Sequence, residues 1–164
     1  MSYQIKVRIL SLLLAMITVL VCLAACSDNK EPQQQRGEFV PPTFDSAAIQ
    51  GIPDISDPRA VGYSELDAKA YKVSICGLVT LNENKADVYF TNPDSNDVWL
   101  KLRILNQEGE IIAETGLVRP GEYLQTITFK TIPKKGDKIV IRVMSYEPDT
   151  YYSKGEASLN TVVS

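Results

Sequence analysis

The sequence predicts an all-β domain over residues 71–164, a seven-stranded antiparallel sandwich of the immunoglobulin-like or fibronectin-like kind. Three observations predict it. Apolar residues alternate with polar ones at a period of two from Tyr71 onward, turn-forming residues recur between the alternating runs, and seven such runs fit within residues 71–163. A jelly roll or a small barrel uses the same pattern and stays open as the alternative. The Cys-Trp-Cys arrangement of an antibody domain is missing.

Each run places one set of apolar side chains on one face. Val73, Ile75, Val79 and Leu81 do so in the first, Ala86, Val88 and Phe90 in the second, and Val98, Leu100, Leu102 and Ile104 in the third. Ile111 and Ala113 mark the fourth, and Tyr123, Ile127 and Phe129 the fifth. Ile139, Ile141 and Val143 mark the sixth, and Ala157, Leu159, Thr161 and Val163 the seventh. Alternation of this kind buries one face and leaves the other wet. The connections agree. Asn82-Glu83-Asn84-Lys85 suits a tight hairpin, Asn106-Gln107-Glu108-Gly109 a type I turn with glycine in the left-handed position, and Pro133 to Asp137 a further turn. In Arg119-Pro120-Gly121-Glu122 proline presets φ at the second place and glycine accepts positive φ at the third, which is the chemistry of a type II turn.

Residues 44–70 precede these runs. Phe44, Ile49, Ile52 and Ile55 are mixed with Gly51, Pro53 and Pro58, which reads as an extended strap across the domain. Ser64-Glu65-Leu66-Asp67 is able to cap a short helix ending near Ala70, with Ser64 accepting from backbone amides. Residues 27–42 read SDNKEPQQQRGEFVPP. They offer too little apolar surface to offset the entropy of ordering, so residues 26–43 read as a flexible tether.

Residues 1–25 have the layout of a signal peptide. Lys6 and Arg8 form a basic start, Ile9 to Val21 is apolar apart from Ser11 and Thr18, and small residues follow. The run is short for a membrane span, which needs about 20 residues. Leu23-Ala24-Ala25-Cys26 resembles the lipobox of bacterial lipoproteins: a branched apolar residue, two small residues, then cysteine. The resemblance implies cleavage before Cys26 and a diacylglyceryl thioether on its sulfur. One acyl chain alone anchors only marginally, so the double-chained glyceride, or the usual further acylation of the palmitate kind, matters physically. The chain would then sit on the extracytoplasmic face of the cell membrane. In a Gram-negative cell it would sit on the outer membrane, because Ser27 does not act as an inner-membrane retention signal. The stretch from Val88-Tyr89-Phe90-Thr91-Asn92-Pro93 through Pro120-Gly121-Glu122-Tyr123 also resembles uncharacterised lipoproteins of Gram-positive bacteria with an immunoglobulin-like sandwich. That resemblance brings no activity with it.

Composition narrows the chemistry. The 164 residues suit one domain with additions. Removing residues 1–25, which carry Lys6, Arg8 and no acid, leaves 15 cations against 20 acids, a net charge of −5. Such a balance argues against nonspecific binding to nucleic acid. Histidine is absent, which removes the commonest general base and the commonest neutral metal ligand. Cys22 lies in the export segment and Cys26 is the lipidation candidate, so Cys76 has no disulfide partner. It reads as a small apolar residue in or near the core.

No nucleophile triad is available without a lysine as base, and no Cys-x-x-Cys pair, phosphate-cradling loop or dinucleotide fingerprint occurs. No cofactor and no metal is expected. Asp94-Ser95-Asn96-Asp97 gathers oxygen ligands as calcium requires, but it lacks the mid-loop glycine and the distant glutamate, and these residue types favour turns. A hydrolase built on two carboxylates across a cleft is a remote alternative.

The feature that points to function is an outward face. If residues 98, 100, 102 and 104 point inward, then Trp99, Lys101 and Arg103 point outward. If 139, 141 and 143 point inward, then Val140, Arg142, Met144 and Tyr146 point outward. With the third and sixth strands adjacent, Trp99, Arg103, Arg142, Met144 and Tyr146 form one patch bordered by Tyr151 and Tyr152. Trp, Tyr, Met and Arg are the types enriched at interface cores. Two readings stay open. The patch binds an envelope protein, a host-surface protein or a glycan, in a noncatalytic binding or assembly module. Alternatively, the strap covers it as a second small core, and the chain is a structural or accessory lipoprotein.

Overall fold

The computed structural model describes residues 39–164. The expected signal peptide (1–25), Cys26 and most of the expected tether lie outside the described residues. Ten strands form: β1 (Ile49–Gln50), β2 (Tyr63–Leu66), β3 (Val73–Cys76), β4 (Leu81–Asn82), β5 (Lys85–Asn92), β6 (Trp99–Leu105), β7 (Ile111–Glu114), β8 (Glu122–Thr128), β9 (Lys138–Tyr146) and β10 (Ser153–Val162). They make two antiparallel sheets. One runs β1-β8-β5-β3-β2 with β4 also on β5, and the other runs β10-β9-β6-β7. Among the described residues there is no helix.

The alternation explains the packing. Val73, Ile75, Ala86, Val88 and Phe90 from one sheet meet Leu100, Leu102, Ile104, Ile141 and Val143 from the other in one buried apolar cluster. Burying a side chain of this size contributes about 1.5–3 kcal/mol relative to exposure. The inward residues expected for the second, third and sixth runs are all in this cluster.

Four sequence expectations are corrected. Ser64 to Leu66 do not open a helix; with Tyr63 they form β2, paired residue for residue with β3. A single short turn is costly to nucleate, and the ladder satisfies the same backbone groups. The first run is not one strand. It breaks after Cys76, and Val79 then bridges Val163 in parallel, so the chain touches the second sheet before β4 returns to β5. In β7, Ile112 and Ala113 are buried while Ile111 is 39% exposed, because the register against β6 shifts between Ile104 and Leu105. In β8, Leu124 and not Tyr123 faces the core, opposite Phe90. The cause is an irregularity in β5 between Asp87 and Phe90, where Tyr89 has a φ of 45°.

The expected turns form. Glu122 N donates to Arg119 O at 3.1 Å around Gly121, whose φ of 77° suits the third place of a type II turn. Gly109 N donates to Asn106 O at 3.1 Å, and Glu83 and Asn84 connect β4 to β5.

One buried carboxamide joins the two sheets. Asn92, at the end of β5, is fully buried. Its Nδ2 donates to Val98 O and Val118 O at 2.9 Å, and its Oδ1 accepts from Asn96 Nδ2 at 2.7 Å. Val98 leads into β6 and Val118 bridges Leu100, so this one side chain spans from β5 to the opposite sheet. Asn92→Ala removes all three bonds and strips buried carbonyls of a donor. Urea denaturation is expected to show a loss of about 2–4 kcal/mol; a loss under about 1 kcal/mol would contradict this role.

Candidate functional site

β6 and β9 are neighbours, and their register has no slip from Trp99↔Tyr146 to Leu105↔Val140. Directly opposite residues share a face. The outward face therefore carries successive rows: Trp99 with Tyr146, Lys101 with Met144, and Arg103 with Arg142. All five sequence-predicted residues are brought together. Met144 is buried at the centre and the other four are partly exposed.

Glu114, which sequence reading missed, organises the charge. It lies on β7 opposite Arg103. Its Oε1 meets Lys130 Nζ at 2.7 Å, and its Oε2 meets Lys101 Nζ at 3.0 Å and Arg103 Nε at 3.3 Å. Hydrogen bonds from Lys130 and then Lys101 hold its carboxyl down at about 2. Among the described residues the carboxylate near Arg142 is Glu156, at 3.8 Å, and the buried Nε has no hydrogen-bond partner. The face thus sets four cations, Lys101, Arg103, Lys130 and Arg142, against two carboxylates, Glu114 and Glu156.

The strap closes one end of this face. Thr43 O accepts from Leu117 N, Leu117 O accepts from Asp45 N, and Asp45 Oδ2 accepts from Gly116 N at 2.8 Å. At Gly116 the strap passes so close that an added Cβ would lie 2.6 Å from Asp45 N. This docking sets the Phe44 ring edge-to-face against Trp99, centroids 4.8 Å apart, with the Arg119 guanidinium 3.5 Å over Phe44. Tyr151 meets Trp99 at 5.2 Å, and Tyr152 is 73% exposed beyond it. Asp149 and Tyr151 both take positive φ in this turn.

Beyond Phe44 the strap leaves for the other sheet. Ile49 and Gln50 pair with β8, Ile52 is 87% exposed, and Arg59 is anchored between strap and sheet. Arg59 Nη2 binds Asp57 Oδ2 at 2.6 Å, and Nη1 reaches Asp87 Oδ1 at 3.9 Å. Among the described residues the strap therefore covers the Trp99 end alone, and Arg103 and Arg142 are partly exposed.

The remaining candidates take structural places. Cys76 is fully buried, and burial pushes its thiol up to about 11, away from reactivity. Asn96 N donates to Pro93 O, closing a turn in the Asp94–Asp97 loop, and its carboxamide is taken up by Lys72 and Asn92. Asp54, Asp57, Glu114 and Glu147 all have carboxyls held below the ordinary value. The leading cause is a hydrogen bond from Ser56, Arg59, Lys130 and Thr150 respectively. A general acid needs the opposite shift.

No protein-family model, curated protein or solved structure matches this chain.

The Glu114 cluster has a pH signature. A depressed carboxyl contributes stability that is fully present above its ordinary value of 4.5 and is lost as pH falls toward about 2. The urea midpoint of wild type is expected to exceed that of Glu114→Gln near neutrality, and the two are expected to converge over that acidic window. Parallel curves would show that Glu114 does not carry the charge of this face.

Proposed function

We propose that this chain is a lipid-anchored, extracytoplasmic, noncatalytic binding or assembly module of the bacterial cell envelope, presenting the outward face of β6 and β9. Its fold is an immunoglobulin-like or fibronectin-like sandwich. The support is the order β8-β5-β3 facing β10-β9-β6-β7, with the short β1, β2 and β4 as additions. The support for the anchor is the lipobox ending at Cys26. No cofactor enters the proposal.

One observation carries the functional reading. Arg103 and Arg142 sit directly opposite each other on a sheet face. Like charges so placed are destabilising; Arg103 shares the single Glu114 carboxylate with two lysines, and Arg142 has the more distant Glu156. A pair that folding does not favour, beside Met144 and Tyr146, suits a partner that brings its own acidic groups. The accessory reading, in which the strap seals the face, is supported at Trp99 alone.

Two variants test the proposal. Cys26→Ser is expected to lose palmitate labelling and to leave the membrane fraction. That soluble form is expected to bind isolated envelopes, and Arg103→Thr with Arg142→Thr to weaken binding by about tenfold or more. Persistent membrane attachment sinks the anchor, and unchanged envelope binding sinks the face.

A further inference from the structure

The outward face continues past the arginine row. Two residues along β9 from Arg142, about 7 Å away, Val140 contributes to a groove of about 500 Å³. Gln107, Lys138, Asn160 and Val162 also line it. The register sets Asn160 opposite Val140, Val162 opposite Lys138 and Ser158 opposite Arg142. The groove therefore opens on the face that carries Arg103 and Arg142. The neighbouring Asn106 carboxamide is taken up by Glu110. Those of Gln107 and Asn160 have no hydrogen-bond partner among the described residues.

We propose that this groove and the arginine pair form a subsite for an acidic glycan, a chain of uronic-acid type. The inference rests on the binding-module reading and names the ligand class. Each carboxamide both donates and accepts, as sugar hydroxyls do. Val140 and Val162 offer apolar surface to the C–H face of a ring. A guanidinium takes a carboxylate through paired, charge-assisted bonds. Lys138 lies four residues from Arg142, roughly 13 Å, and meets a carboxylate further along the same chain. An extended peptide is the poorer fit: it pairs its backbone along the edge of β10, whereas the groove is offered by side chains of β9 and β10 on the outer face.

Calorimetric titration of the full chain in detergent micelles decides the matter. The probes are a short oligogalacturonate, a neutral oligogalactose of equal length, and polyglutamate. The oligogalacturonate is expected to bind, more weakly as salt rises, and the neutral sugar to give no heat. Arg142→Gln is expected to weaken binding by about tenfold or more, and Asn160→Ala by about threefold to tenfold. Both positions are solvent-accessible, and near-ultraviolet circular dichroism confirms that each variant is folded. The inference is overturned by absent oligogalacturonate binding, by indifference to Asn160→Ala, or by tighter binding of polyglutamate. Envelope binding that still depends on the arginines would then leave the binding-module reading standing; its loss would end both.

Discussion

The register of β6 on β9 is the constraint on which the rest depends. It runs without a slip from Trp99↔Tyr146 to Leu105↔Val140. Because side chains alternate, a slip of β6 by one residue would send Arg103 into the core and Leu102 into water, and a slip of β9 would do the same with Arg142 and Val143. Core and candidate site are therefore set by one ladder. Leu100, Leu102, Ile104, Ile141 and Val143 hold it from beneath, fully or almost fully buried.

The same ladder leaves a charge problem on its outer side. Glu114 settles part of it by drawing in Lys101, Arg103 and Lys130, and Lys101 is only 13% exposed as a result. Arg142 is left with a distant Glu156 and a buried Nε that bonds to nothing in the described residues. Phe44, stitched through Asp45 to Gly116, closes the aromatic end. The face is thus divided into a capped aromatic end and an open cationic middle that leads into the groove by Val140. The partly buried Glu114 cluster contributes to stability, whereas the longer, more exposed Arg142–Glu156 pair is worth little.

Much of this was legible in the sequence because it is local. The strict alternation of Val98–Ile104 and Ile139–Val143 set both the core and the five face residues, and Pro120-Gly121 marked its turn. What was not legible depends on pairings far apart in the chain. Ser64 reads as a cap until β3 is beside it. Ile111 and Tyr123 read as inward until the irregularities at Leu105 and Tyr89 displace them. Glu114 carries no local signal; its role appears only when β7 lies on β6 and Lys130 reaches across. The strap is half legible. Its apolar residues mark it as packed, but only the Asp45–Gly116 and Arg59–Asp57 contacts show that Phe44 reaches Trp99 while Ile49 goes to the opposite sheet.

The central claim is that folding alone does not favour the arginine pair, so its presence belongs to recognition. The most direct test is the urea unfolding free energy of Arg142→Thr beside wild type. Threonine suits a strand and removes both the like charge opposite Arg103 and the unbonded Nε. The account predicts stability that is unchanged or higher by up to about 1 kcal/mol. A loss of more than about 1 kcal/mol would contradict it, because Arg142 would then be part of what holds the fold together.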